Sequence, residues 1–480
     1  MPILMTSLTT ILGLVPIVMA ADKPGGELLA PLAIVQFGGL LSASVLNMLV
    51  LPAVVSLCGR SSPLARPVTV VTLLLVAGLW GCRSYEARTL DFAHEMTAWN
   101  DAGANVKLET LKDAEKLALV ANPEINRLRL KALRRKEEAK DVGWWDDPEL
   151  DFDFLRILKA DDYPNLFGGK LSFTVPLSGV PGLEARAAEL YAEEEVLSLR
   201  AAERRLCVDV RTAAIRWVAA ARREETLRTM QEDASVTNAF ACAVRLFGMG
   251  EVNEADLSTA RRRRHDRSHA LRNAELATVE AKTAFCRLLG VSPTANVTLS
   301  FDVWSEEGPI VIAMPEELTR HEAVRAALVR LEGKEAAFHA EVRRQYPNLT
   351  LGPAYEREDN LDRVGFVASL TLPLWNRNRK AIAQSETERD LAHRNALDVW
   401  KELVWNSVMC ARRYRQLSKH MTPEGLDRGA VDRLHGTGEL SDIAYLAVCD
   451  EILESKLEEI TWREQMLISR NELTYYTIEK

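Results

Sequence analysis

Two histidines, His265 and His269, stand four residues apart in a stretch free of proline and glycine, which puts both imidazoles on one helix face at a legitimate metal-ligand spacing. No glutamate follows the first histidine, as a zinc protease would need, and Arg261, Arg262, Arg263 and Arg264 immediately precede the pair, a surround that opposes a divalent ion. The pair therefore reads as a solvated helix face. In a chain of net charge -8 the arginine run reads the same way, or as a salt-bridge partner, and nucleic acid is not an expected partner. The seven cysteines, Cys58, Cys82, Cys207, Cys242, Cys286, Cys410 and Cys449, form no CxxC pair. The last five fall in helical patterns, as small buried hydrophobes. No nucleophile lies beside a base and no acid–base pair stands out, so neither an enzyme nor a metal or cofactor site is expected.

Chemistry gives way to geometry at two glycine turns. Arg245-Leu246-Phe247-Gly248-Met249-Gly250-Glu251 recurs as Arg433-Leu434-His435-Gly436-Thr437-Gly438-Glu439, 188 residues later. Glycine permits the positive φ that lets one helix reverse into the next. The helices to be reversed are long. From about Pro181 to Leu246 the only internal breaker is Gly182, and Leu199, Ala202, Leu206, Ala213, Trp217 and Ala220 follow a near-heptad seam. Roughly 65 residues at about 1.5 Å each span on the order of 100 Å. A return helix runs from about Asn253 to Leu289, and a second pair flanks the second turn, from about Arg379 to about Glu479. Upstream, Leu108, Leu111, Leu117, Ile125, Leu128 and Leu130 form a helix-period stripe that Asn122-Pro123 divides into two helices.

Ahead of each long helical pair the period changes to two. Leu150-Asp151-Phe152-Asp153-Phe154 and Leu171-Ser172-Phe173-Thr174-Val175-Pro176-Leu177 alternate apolar with polar, separated by a polar loop. Pro148-Glu149-Leu150 recurs as Pro347-Asn348-Leu349, and Phe173-Thr174-Val175-Pro176-Leu177 as Leu370-Thr371-Leu372-Pro373-Leu374. Such alternation fits a half-buried soluble hairpin or a barrel wall with lipid outside and water inside. On the barrel reading, Phe152, Phe154, Phe173, Phe366 and Leu372 face lipid, and Asp151, Asp153, Ser172, Thr174 and Thr371 face the lumen.

The Asn-Pro helix start, the twofold PxL and TxPL strands and the two RLxGxGE turns resemble the TolC family of outer membrane efflux proteins, over nearly all of Val106 to Lys480. The resemblance implies a mainly α fold with a small β part. Three chains share a 12-stranded β-barrel, four transmembrane strands from each, continued by an elongated tunnel of duplicated α-hairpins. Repeat one covers about 106–290 and repeat two about 315–480. It also implies that the helical tips meet a periplasmic adaptor (membrane fusion protein), with Arg245, Gly248, Gly250, Asp256 and Leu257 at the first tip and Arg433, Gly436, Gly438 and Leu446 at the second. The family's paired aspartates after the second turn correspond here to Ala444 and Ala447. Asp256, Asp442 and Glu439 are the acidic residues left to charge the entrance.

The N-terminal residues differ in kind. Segments 3–20 and 31–57 each hold at least 18 residues without a charge, enough for a transmembrane helix. Their wording, PILMTSLTTILGLVPIV and GGELLAPLAIVQFGGLLSASVLNMLVLPAVV, resembles the last two helices of resistance-nodulation-division pumps, most closely the heavy-metal subgroup. Asp22, Lys23 and Glu27 lie in the connecting loop, so no proton-relaying carboxylate sits within a span.

Residues 61–82 then read as a lipoprotein signal, with Arg66, an apolar core from Val68 to Val76, and Gly81 before Cys82, the expected lipidated residue. The expected organisation is a pump-like helix pair at 1–60, the signal at 61–82, and the channel at 83–480, with Cys82 opening the mature protein after a gene fusion or an early start.

The whole implies a homotrimeric exit duct in the Gram-negative outer membrane, reaching into the periplasm. It would be fed through the adaptor by an inner-membrane pump, heavy-metal cations being one candidate cargo. Two other readings are a periplasmic adaptor, which should have one hairpin rather than two, and a helical scaffold held in the inner membrane by residues 1–57.

Overall fold

The computed structural model describes residues 85–102, 105–155, 166–304, 313–358, 361–370, 372, 375, 377–419 and 427–477. Two compact units divide the chain, Met1–Asp91 and Phe92–Lys480. Of the first, residues 85–91 are described, without helix or strand. The expected transmembrane pair and Cys82 lie outside the described residues. Among those described, no helix is long and apolar enough to cross a membrane.

The second unit opens with α1 (Phe92–Ala102) and the short strand β1 (Asn105–Leu108). Thr110 and Asp113 then cap α2 (Leu111–Ala121) reciprocally: the Thr110 hydroxyl accepts from the Asp113 N–H at 3.2 Å, and Asp113 Oδ2 accepts from the Thr110 N–H at 3.1 Å. Asn122 caps α3 (Pro123–Lys140) through Oδ1, which accepts from the Glu124 N–H at 2.9 Å, with Pro123 in the first turn. The break at Asn122-Pro123 is where the sequence puts it. The stripe is only partly right: Leu108 and Ile125 are buried, but Leu130 is 66% exposed. The α2 core positions are the alanines Ala114 and Ala118.

The four longer strands are β2 (Glu149–Leu155), β3 (Leu166–Val175), β5 (Leu349–Glu358) and β6 (Leu361–Leu370), with β4 described below. They form one antiparallel sheet in the order β2-β3-β5-β6. β3 begins five residues before the predicted Leu171 and ends before Leu177. β6 ends at Leu370, so Leu372 is exposed but lies beyond the strand rather than in it, since the chain must leave the sheet to start a helix at Arg379. A Cβ on Gly352 would stand 1.8 Å from the Leu171 carbonyl oxygen, so only glycine fits at this crossing of β5 and β3.

From the sheet descend α4 (Val180–Glu232), α5 (Ala234–Gly248) and the return helix α6 (Glu254–Leu289). The 53 residues of α4 reach roughly 80 Å. The uninterrupted helix expected from Pro181 to Leu246 is broken at Asp233 (φ -61°, ψ 116°), whose carboxylate accepts from the Ser235 and Val236 N–H groups at 2.8 and 3.4 Å. An aspartate that caps a new helix competes with continuing the old one.

β4 (Asn296–Leu299) pairs in parallel with β1, a small sheet the sequence reading missed. A 3-10 turn (Glu317–Arg320) leads to α7 (Glu322–Arg343), and after β5 and β6 come α8 (Arg379–Lys419), α9 (Arg428–Gly436) and α10 (Asp442–Tyr476). α4 is central, packing on α3, α6, α7 and α10, while α8 packs on α7 and α10. The seam residues Leu206 and Ala213 join Phe285, Leu289, Val297 and Leu467 in one core; a second core, at the helical tips, gathers Leu227, Ala260, Tyr445, Cys449 and Ile452. All five described cysteines sit in helices, Cys286 and Cys449 buried.

His321 is fully buried at the start of α7. Its Nδ1 accepts from the Ala323 N–H at 3.2 Å and Nε2 faces the Tyr475 carbonyl at 3.1 Å, a neutral imidazole joining α7 to the end of α10. Burial holds its pKa below the ordinary 6.5, with Glu322 opposing. The neutral form is the folded form, so this contribution is whole above pH 6.5 and is lost as pH falls through the depressed folded value. Denaturant midpoints measured from pH 7.5 to 5 should fall with acid, and H321N, which still caps but does not titrate, should flatten that part of the slope.

Candidate functional site

At the first tip the Met249 N–H donates to the Arg245 carbonyl at 3.2 Å and the Glu251 N–H to the Leu246 carbonyl at 3.0 Å. At the second, the Thr437 N–H donates to the Arg433 carbonyl at 2.9 Å and the Glu439 N–H to the Leu434 carbonyl at 3.0 Å. This wrapping of the last helical turn needs one left-handed residue. Gly250 and Gly438 supply it, at φ +82° and +79°. Gly248 and Gly436 are instead the last residues of α5 and α9, and a Cβ on either would meet nothing within 4 Å. G250A and G438A should each cost about 1–2 kcal/mol, and G248A and G436A almost nothing, in thermal unfolding of the purified protein.

Asn253 and Ser441 then cap the return helices, accepting from the Asp256 N–H at 2.7 Å and the Ala444 N–H at 3.3 Å. Of the nine residues assigned to the tips, Arg245, Gly248, Gly250, Asp256, Arg433, Gly436 and Gly438 are exposed. Leu257 and Leu446 are buried within the protomer, 1% and 3% exposed, so they pack the tips from inside rather than presenting a docking surface.

Sequence reasoning missed the side chains that join the two hairpins. Arg428 donates to Asp233 Oδ2 at 2.8 Å, to Asp432 Oδ1 at 2.9 Å and to the Tyr445 hydroxyl at 2.8 Å, and that hydroxyl donates to Asp432 Oδ1 at 2.8 Å. Burial, then the Asp432 carboxylate, push the Tyr445 phenol well above its usual range. His435 stacks on the Tyr445 ring, centroids 4.0 Å apart, and its Nε2 is 2.9 Å from Asp442 Oδ1. Asp442 is therefore engaged within the tip, while Glu439 and Asp256 are open to solvent. Farther from the tips, Arg263 and Arg267 of α6 reach Asp450 of α10 at 3.8 and 3.4 Å, and Arg264 lies over the Phe240 ring. The arginine run thus includes salt-bridge partners. His265 and His269 are exposed, their rings 4.4 Å apart. Among the described residues no group of three or more His, Cys, Asp or Glu side chains could hold a metal ion.

In the sheet, register sorts the side chains onto two faces. Phe152 shares a row with Gly169, Tyr355 and Val364, and Phe173 shares a face with Leu351, Phe366 and Leu370. The opposite face carries Asp151, Asp153, Ser172 and Thr174, with Asp151 3.6 Å from Lys170, Thr174 3.2 Å from the Thr350 hydroxyl and Glu356 3.9 Å from Arg363. Phe154 lies in β2, and Thr371 lies outside the described residues.

The described residues build two β-hairpins in one sheet and two long α-hairpins. The unit from Phe92 onward has the fold of TolC-family outer membrane channels. It is similar to CusC, at 14% identity and a TM-score of 0.64 over 76% of this chain and 91% of that one. It is similar also to the Campylobacter jejuni CmeC outer membrane channel, at 15% identity and 0.62 over 82% and 90%. The Neisseria gonorrhoeae MtrE outer membrane channel in its open state gives 14% and 0.59 over 76% and 88%.

Residues 1–58 match the AcrB/AcrD/AcrF family. Over 70 residues the chain is 46% identical to the nickel-cobalt-cadmium resistance protein NccA of Alcaligenes xylosoxydans xylosoxydans. That stretch is 14% of this chain, and it spans only 6% of the length of that relative.

Proposed function

We propose that this chain is the outer membrane exit duct of a tripartite efflux system, a passive conduit and not an enzyme. The observation that carries this reading is the four-stranded sheet, apolar on one face and polar on the other, set on two long α-hairpins. A sheet that is wet on one face and oily on the other suits a barrel wall, and its two edges, β2 and β6, call for partners. Joining β6 of one copy to β2 of the next satisfies both edges, and three copies close a 12-stranded ring. Phe152, Phe154, Phe173 and Phe366 then face lipid, and Asp151, Asp153 and Thr174 the lumen.

Trp144, Trp145, Tyr346 and Trp375, all more than half exposed beside the helical end of the sheet, suit an aromatic belt at one membrane interface. The tips lie at the far end of the hairpins, where an adaptor would dock on Arg245, Asp256, Arg433 and their exposed neighbours. A single-hairpin adaptor does not account for the four-stranded sheet.

The N-terminal match supports an inner-membrane pump of the resistance-nodulation-division kind as partner, and the likeness to a nickel-cobalt-cadmium resistance protein makes heavy-metal cations the first cargo to test. Cys82 is the proposed lipidation site and the first residue of the mature protein, ahead of the channel domain at 83–480. Membrane fractionation, mass spectrometry of the mature N-terminus and planar-bilayer conductance test the reading together. A trimer recovered with the outer membrane, a lipid-modified Cys82 and stable open-channel currents are expected; a chain confined to the inner membrane and silent in bilayers overturns it.

A further inference from the structure

The protomer ends, on its two sides, in complementary unpartnered surfaces. α8 packs on α7 and α10 through buried Ala396, Leu403, Ser407 and Ala411. Opposite that face, at about 100° per residue, Asp398, Glu402, Trp405 and Met409 make a stripe at spacings of four, three and four. Trp405 is 65% and Met409 54% exposed, a large apolar knob on a helix edge. On the other side of α4 lies an apolar cleft of about 530 Å³, walled by Trp99, Pro123, Val291 and Pro293. It adjoins a cleft of about 710 Å³ in which the arginines, Arg127, Arg216 and Arg287 among them, outnumber the carboxylates of Glu124, Asp209 and Glu472.

Knob and cleft stand at one height along the helices. Leu403 packs with Tyr476 of α10; one turn earlier in that helix Glu472 pairs with Arg205 at 2.8 Å, and both of those residues line the larger cleft. Direction matches too. α8 begins at the sheet, so Asp398 and Glu402 lie on the sheet side of Trp405. α3 ends at the sheet, so Arg127 lies on the sheet side of Pro123. Asp398 pairs with Lys401 of its own helix at 3.8 Å, which leaves Glu402 to meet Arg127; apolar thus meets apolar, and carboxylate meets arginine, in the same order along the axis.

The geometry points to a second copy of this chain as the occupant of the cleft: Trp405 and Met409 of one protomer fill the pocket at Trp99, Pro123 and Pro293 of the next, with Glu402 against Arg127. This joint is heterologous, so repetition closes a ring rather than a two-fold dimer. It rests on the ring reading proposed above and adds to it which residues set the contact between copies.

The test uses the full chain extracted from membranes. Under mild oxidation the W405C/P293C double variant should give covalent dimers and trimers at least tenfold above either single variant. R127E should lower the trimer fraction at least fivefold, and E402R added to it should restore the trimer to within twofold of the parent. If the cysteine pair misfolds, the charge swap decides. A chain that is trimeric by native mass but neither cross-links nor responds to R127E overturns this joint and leaves the ring standing. A chain that is monomeric by mass overturns both.

Discussion

In the trimeric barrel proposed above, Val364→Arg is expected to remove most of the assembled protein from the outer membrane, and Phe173→Arg only a modest fraction of it. Both residues lie on the apolar face, but at different depths. The row Phe152, Gly169, Tyr355 and Val364 is six residues from the helical end of β5 at Leu349. At about 3.3 Å per residue and the tilt of a barrel strand, that is roughly 15 Å into the apolar band, near its middle. Arginine there costs about 2–4 kcal/mol per chain, on the order of 6–12 for three chains, whereas near the interface the cost falls to about 0–1. Phe173 pairs with Leu351, only two residues from that end. Gly365 is the built-in control. It is adjacent to Val364 on the opposite face, and a Cβ there meets nothing within 4 Å, so G365R should assemble. The heat-resistant trimer band of outer membrane fractions reads all three; V364R assembling while G365R fails would mean that the faces are reversed.

The alternation behind that expectation is visible in the sequence because a strand's period is two and its neighbours' identities do not matter. The helical turns are visible for a similar reason: glycine's tolerance of positive φ is a property of one residue, and Gly250 and Gly438 show it directly. Their neighbours Gly248 and Gly436 look identical in text yet carry no such conformation, because a motif does not say which of two glycines turns the chain. Other features depend on distant partners. The β1–β4 pair joins Asn105 to Asn296 through four residues apiece, too short for a pattern to register. The break at Asp233 hangs on one capping carboxylate inside an otherwise helical run. Leu257 and Leu446 sit at motif positions of an exposed tip, and only packing reveals that they point inward.

Arg428 is the residue that local reasoning had least chance of finding, since Asp233 lies 195 positions away. Its guanidinium ties the break between α4 and α5 in the first hairpin to α9 and α10 in the second. Arg428→Ala should therefore loosen both hairpins at once. It leaves the carboxylates of Asp233 and Asp432 facing each other's charge without a cation between, and strips the Tyr445 hydroxyl of a partner.

The cluster is partly solvated, with Arg428 21%, Asp233 30% and Asp432 44% exposed, so the cost belongs below that of a fully buried broken pair, at about 2–3 kcal/mol. Arg428→Lys keeps the charge and loses the fork that reaches three acceptors, and should cost about half as much. Asp233→Asn separates the two duties of that residue, because asparagine still caps α5 but no longer pairs with a cation. The two sites are in contact, so R428A and D233N should be non-additive, the double variant costing less than the summed singles. Hydrogen exchange gives the location: amides at the start of α5 and through 428–445 should exchange faster in R428A, while those around Phe285 and Leu289 keep the parent rate. Unchanged exchange at the start of α5 would show that Arg428 holds only its own hairpin and that the tips are coupled through their apolar core, from Leu227 to Ile452, instead.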